Sequence, residues 1–191
     1  MREQGKLYFS LPPAGAEPYP GDFIKINCHP MKLLLAVLSL LPMLAGAQEC
    51  KLLNEKDPYT KETKLSSGAL TLQGGTLTID ADKKEIDFFF EVSGKCFNDM
   101  STVFIFWETT RAKTTYRNAG SMNCDGYFHF KFRNGAATQS VLNKMATQKV
   151  VHFIFKGNDD KEVTVGLSPT QQQTLMDMVA CINKESKTLL Q

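Results

Sequence analysis

The sequence predicts an α+β domain: a mainly antiparallel sheet of about six to eight strands, with a short helix between strands and a C-terminal helix packed on one face. Three observations carry that expectation. Phe-rich runs alternate apolar and polar residues with the period of a half-buried strand, as in Phe128, Phe130 and Phe132 against Tyr127, His129 and Lys131. Clusters of turn formers separate the runs, among them Gly74-Gly75 and Gly157-Asn158-Asp159-Asp160. Near the C-terminus, Leu175, Met178, Val179 and Ile182 recur at helical spacing behind Ser168-Pro169.

The first 30 residues hold Pro12, Pro13, Pro18 and Pro20 and little periodicity. They read as a disordered upstream extension, with Met31 as the natural start. Residues 31–47 then follow the order of a secretory signal peptide: Met31-Lys32, an apolar run from Leu33 to Leu41, and the small residues Ala45, Gly46 and Ala47. Cleavage is expected before Gln48. The run is well short of the roughly 20 apolar residues of a membrane span. A lipid-anchored product needs a cysteine directly after the cut, whereas Cys50 comes two residues too late. The expected product is one exported domain over 48–191, secreted or periplasmic, with no stable membrane span after cleavage.

Within that domain, Gln48 to Glu62 is polar with a turn at Asp57-Pro58, an N-terminal strap rather than core. Leu65 to Leu72 and Thr76 to Ala81 form a hairpin around Gly74-Gly75, and the turn from Asp80 to Lys84 leads into a strand from Ile86 to Val92. Strands follow at Thr102 to Glu108, Gly126 to Arg133 and Val150 to Lys156, each with a Phe-x-Phe pair. Thr114 to Met122 adds a more polar strand, and Lys161 to Leu167 pairs back across the Gly157–Asp160 turn. Thr138 to Gln148 places Val141, Leu142 and Met145 on one side of a short helix. The last helix starts with a capping box: Ser168 as cap, Pro169 at the first helical position, Gln171 three after the cap.

Of five cysteines, Cys28 falls in the extension, leaving Cys50, Cys96, Cys124 and Cys181. An even number in an exported chain implies disulfides, and four cysteines permit three connectivities. The preferred pairing is Cys96 with Cys124, tying two loops of the sheet, and Cys50 with Cys181, fastening the mature N-terminus to the C-terminal helix. A zinc site is the rival, but 48–191 holds no CxxC and no adjacent Cys and His pair.

Composition narrows the function classes. The 191 residues are 42% hydrophobic, which excludes a wholly disordered or collagen-like chain, and 22 Lys plus Arg against 20 Asp plus Glu leave a net charge of only +2. No broad phosphate-seeking field is expected, hence no nucleic-acid partner, although Gly126, Tyr127, Phe128, His129, Phe130, Lys131 and Phe132 loosely echo an aromatic RNA-stacking strand. Local positive charge sits at Arg111, Lys113, Arg117, Lys131 and Arg133, either a solvated strand face or an anion site.

Catalytic signatures are absent: no G-x-S-x-G, no H-E-x-x-H, and no S-x-x-K in a recognisable setting. Ser93-Gly94-Lys95 ends like a phosphate loop, but Cys96 stands where Ser or Thr is required. Asp80, Asp82 and Glu85 suggest a calcium loop only superficially, and a hairpin turn explains them better. His129 and His152 each lie opposite the Phe pairs of their strands. If they converge, with Asp87, Glu91 or Glu108 nearby, they form a metal site or proton shuttle. Phe89, Phe104, Phe106 and Tyr127 are surplus aromatics which, exposed together, make a patch suited to an apolar ligand or partner, with Arg117 beside it.

Gln48-Glu49-Cys50 after the signal, Asp57-Pro58-Tyr59-Thr60, Lys95-Cys96-Phe97, Arg117-Asn118-Ala119-Gly120, Asn123-Cys124 and the Ser168-Pro169 helix resemble small uncharacterised exported bacterial proteins with a Sec-type signal peptide and four cysteines in the mature chain. The resemblance implies location and no activity. The expected function is a non-enzymatic binding module of the periplasm or exterior. It takes an envelope partner or small apolar ligand through a sheet face or the loop around Cys96 to Cys124, with no cofactor. The rivals are a metal-dependent enzyme using His129 and His152, and a structural envelope protein.

Overall fold

The computed structural model describes residues 50–191 apart from Asp57, within a compact unit that spans 48–191. The expected extension over 1–30 and signal peptide over 31–47 lie outside the described residues. In chain order the elements are β1 (Leu53–Lys56), β2 (Thr63–Leu72), β3 (Gly75–Ala81), β4 (Glu85–Val92), β5 (Thr102–Trp107), β6 (Lys113–Arg117), β7 (Tyr127–Arg133), α1 (Ser140–Thr147), β8 (Val150–Lys156), β9 (Glu162–Gly166) and α2 (Pro169–Glu185), closed by a 3-10 turn at Ser186–Leu190. The α+β class and the antiparallel pairing are as expected. The strands divide into two sheets, of order β1-β2-β3-β4-β7 and β6-β5-β8-β9.

The division follows from what each strand buries. β4 pairs with β7, not with its chain neighbour β5, setting Phe88 opposite Phe130 and Phe90 opposite Phe128. Their rings fill the inner face, with Phe88 and Phe130 stacked at 4.8 Å. From the smaller sheet, Phe155 meets Phe90 at 5.0 Å and Phe128 at 5.2 Å, while Tyr116 stacks on Phe130 at 4.9 Å. Each fully buried Phe contributes roughly 1.5–3 kcal/mol, and ring pairs of this geometry about 0.5–1.5 kcal/mol more. A continuous aromatic core therefore holds the sheets face to face.

Two local devices set the register. Leu65 and Leu70 are five residues apart, so strict alternation places them on opposite faces. A bulge between Ser66 and Ala69 inserts the extra residue, with Gly68 at φ +71°, and Ser67 Oγ accepts the Ile79 amide at 2.9 Å. At the other end of the sheet, Gly126 (φ +83°) brings its backbone against Val92, whose N–H donates to the Gly126 carbonyl at 2.8 Å. A Cβ there meets the Val92 oxygen at 2.1 Å.

Helix α2 begins as its capping box predicts. Ser168 Oγ accepts the Gln171 amide at 3.3 Å, and Gln171 Oε1 accepts the Ser168 amide at 2.8 Å. Gln171 Nε2 also donates to the Thr71 carbonyl, pinning the helix start to β2. Leu175, Val179 and Ile182 are buried in the common core, where α2 packs on β2, β3 and β8, and α1 packs on α2. Both expected disulfides are present. Cys50–Cys181 joins the chain before β1 to α2, and Cys96–Cys124 joins the loops before β5 and β7. Bridges of this kind fit maturation in an oxidising compartment. Among the described residues no helix is long and apolar enough to cross a membrane.

Candidate functional site

Because the inner faces are consumed by packing, the candidate chemistry falls on the two outer faces, the open edges and the loop ends. The outer face of the larger sheet carries Asp87, Phe89, Tyr127, His129 and Lys131 from β4 and β7. Asp87 Oδ2 lies 3.0 Å from His129 Nδ1, a contact that holds the imidazole's orientation. Phe89 packs against His129 at 4.6 Å and against Tyr127 at 5.3 Å.

A charged row crosses the same face. Lys64 reaches Asp80 at 2.7 Å, Asp80 stands opposite Asp87 across β3 and β4, and Lys131 reaches Glu85 at 2.5 Å and Asp87 at 3.8 Å. Two carboxylates directly opposite one another repel, and the flanking cations offset that repulsion. Hydrogen bonding raises the Lys64 and Lys131 ammoniums above the ordinary lysine value, through Asp80 and Glu85 respectively, with burial opposing. Among the described residues the buried Oδ1 atoms of Asp80 and Asp87 have no hydrogen-bond partner.

On the outer face of the smaller sheet, Phe104 and Phe106 of β5 lie beside His152 and Ile154 of β8. Phe106 stacks on the His152 imidazole at 4.4 Å, and Lys113 Nζ sits 4.0 Å above the Phe104 ring. Phe104, Phe106 and Ile154 are half-buried, whereas Val103, Ile105 and Trp107 between them point into the core. Arg117 is exposed at the end of β6 and makes no ion pair with the described residues. A 590 Å³ cleft opens next to His152, lined by Val151, Thr164, Leu167 and Gln171 among others.

These positions answer two questions that the sequence left open. His129 and His152 sit on the outer faces of different sheets, separated by the core, so they do not share a site. Among the described residues no group of three or more His, Cys, Asp or Glu is arranged to hold a metal ion. Likewise the four surplus aromatics split in two: Phe89 and Tyr127 on the larger sheet, Phe104 and Phe106 on the smaller. Of the expected turn from Asp80 to Lys84, Asp80 still belongs to β3, and the hairpin turn proper runs from Asp82 to Lys84, with Asp82 Oδ1 accepting the amides of Lys84 and Glu85.

Sequence reading missed the loop over 118–126. The expected strand to Met122 stops at Arg117, where Asn118 turns and binds back on the edge of β7. Its side chain accepts from His129 and Gly120 and donates to the Asn98 carbonyl, while Asn123 exchanges two hydrogen bonds with the Tyr127 backbone. Two Asn residues flanking small residues were the visible signal for such a turn.

No family model matches this chain, and no curated protein or solved structure is significantly similar to it. Fold and surfaces define a class alone: an α+β domain of two antiparallel sheets, braced by two disulfides.

Proposed function

We propose that this chain is a non-enzymatic binding module of the bacterial periplasm or cell exterior, exported by the 31–47 leader and engaging an envelope partner or small apolar ligand. The observation that carries the reading is the aromatic outer face of the smaller sheet, where Phe104, Phe106 and Ile154 stay partly exposed beside His152. A core this rich in Phe has no need of further rings outside it, and partly exposed aromatics grouped on one face mark interaction surfaces. The two disulfides support the compartment, since exported domains use such bridges.

Thermal unfolding of the 48–191 protein across a panel of envelope components tests the reading. A component that raises the midpoint of the native protein but not of a Phe104→Ser/Phe106→Ser variant supports it. A flat response throughout the panel counts against it.

A further inference from the structure

We propose that the open edge of β6 is a strand-addition site for an extended acidic segment of a partner protein. The proposal rests on the reading of the domain as a binding module and gives that module a second, more selective contact. Among the described residues β6 ends the smaller sheet and pairs with β5 on one side only. The Asn118 amide donates to the Ser101 carbonyl at 2.9 Å, and the pairs continue through Tyr116 with Val103 and Thr114 with Ile105. Antiparallel ladders alternate, so the N–H and C=O groups of Lys113, Thr115 and Arg117 point away from β5 toward the open side. No backbone hydrogen bond from another described segment meets them.

The edge is anchored to the core and charged with one sign. Tyr116 anchors it from within by stacking on Phe130 at 4.9 Å. Lys113 and Arg117 are exposed and enter no ion pair with the described residues. Four residues apart on a strand, their side chains project on the same face about 14 Å from one another. The other edges differ. β7 is occupied at Tyr127 and His129 by Asn123, Asn118 and Ala119. β9 carries Glu162 and meets Gln73 at Gly166, and β1 mixes Glu55 with Lys56.

Charge selects the occupant. Edge lysines commonly guard a sheet against association. A second copy paired antiparallel about Thr115 brings Lys113 against Arg117 of the copy, so self-pairing is repelled while an acidic strand is attracted. The open amides and carbonyls match another peptide backbone, which a polyanion without amides cannot satisfy. Thr115 is small and lies opposite Phe104, leaving room for an apolar side chain between the two cations. The fitting sequence is therefore acidic-x-apolar-x-acidic.

A synthetic peptide centred on Glu-Thr-Leu-Thr-Asp, titrated into the isotope-labelled protein, tests this. The expected result is saturable binding with amide shifts centred on Lys113 to Arg117, weakened about tenfold or more in Lys113→Glu/Arg117→Glu and recovered with a Lys-Thr-Leu-Thr-Arg peptide. Methylating the peptide's backbone nitrogens is expected to abolish binding, as is Thr115→Pro in a variant whose thermal midpoint shows it folded. No binding, or equal binding by the N-methylated peptide or by polyphosphate, overturns the proposal. Loss of the aromatic-face ligand in Ile154→Ser, on β8 away from Lys113, without loss of the peptide separates this site from the reading above.

Discussion

Asn118 closes the edge of the larger sheet at His129: its Oδ1 accepts the His129 amide at 2.9 Å, and the next residue, Ala119, donates to the His129 carbonyl at 2.8 Å. One side chain thus stands in for a missing strand, and the loop that leaves the smaller sheet locks the edge of the larger. Asn118 is only 5% exposed, so its partners have no easy recourse to water.

Asn118→Ala is therefore expected to cost about 2–4 kcal/mol, since it removes several hydrogen bonds and takes their acceptor from the His129 and Gly120 amides. Urea unfolding measures the loss. Hydrogen exchange at the His129 amide is expected to speed up by more than global destabilisation accounts for.

The assignment of inner and outer faces predicts a contrast between two phenylalanines. Phe130 is buried among Phe88, Tyr116 and Phe132, and Phe130→Ala is expected to cost about 3–5 kcal/mol. Phe104 lies outside, against Lys113, and Phe104→Ala is expected to cost no more than about 1.5 kcal/mol. Equal losses in denaturant titrations would mean that β5 is inverted.

That contrast also marks how far the sequence was legible. β7 declared its buried face because Phe128, Phe130 and Phe132 alternate with polar residues. β5 did not, because Val103, Ile105 and Trp107 are as apolar as Phe104 and Phe106, and period two cannot choose between apolar faces. The α2 cap was readable from local chemistry, whereas the cysteine count implied disulfides and left three connectivities, of which the preferred one is formed. The partition into two sheets depends on β4 choosing β7 over β5, a long-range preference set by ring packing that no local spacing encodes. The candidate site suffered most from this, since whether His129 meets His152, or Phe89 meets Phe104, depends entirely on which strand enters which sheet.

Alkaline pH is expected to weaken the fold through Tyr116. Burial against Phe130 and Phe132 pushes its phenol up to about 12, because the phenolate loses solvation there. A raised folded-state value stabilises the protein below the unfolded value near 10, and that contribution disappears as pH climbs toward 12. With allowance for solvent screening of a half-buried ring, the loss amounts to about 1–2 kcal/mol. Unfolding midpoints of native protein and Tyr116→Phe, compared at pH 9 and pH 11.5, are expected to diverge by this amount, and parallel curves would reject the role.

The two disulfides are expected to differ in worth. Cys50–Cys181 spans 131 residues and Cys96–Cys124 spans 28. On the chain-entropy account, losing them costs roughly 5 and roughly 3.5 kcal/mol respectively, because the longer loop restricts the unfolded chain more. The structure adds a local reason for the same order. The Cys96–Cys124 loops keep the paired backbone hydrogen bonds of Phe97 and Asn123 after the sulfurs part, whereas the segment before β1 leads into a strand whose side chains are all exposed. Cys50→Ala/Cys181→Ala is thus expected to lower the chemical denaturation midpoint more than Cys96→Ala/Cys124→Ala. A reversed order would show that Cys96–Cys124 carries a tertiary constraint beyond its own two loops.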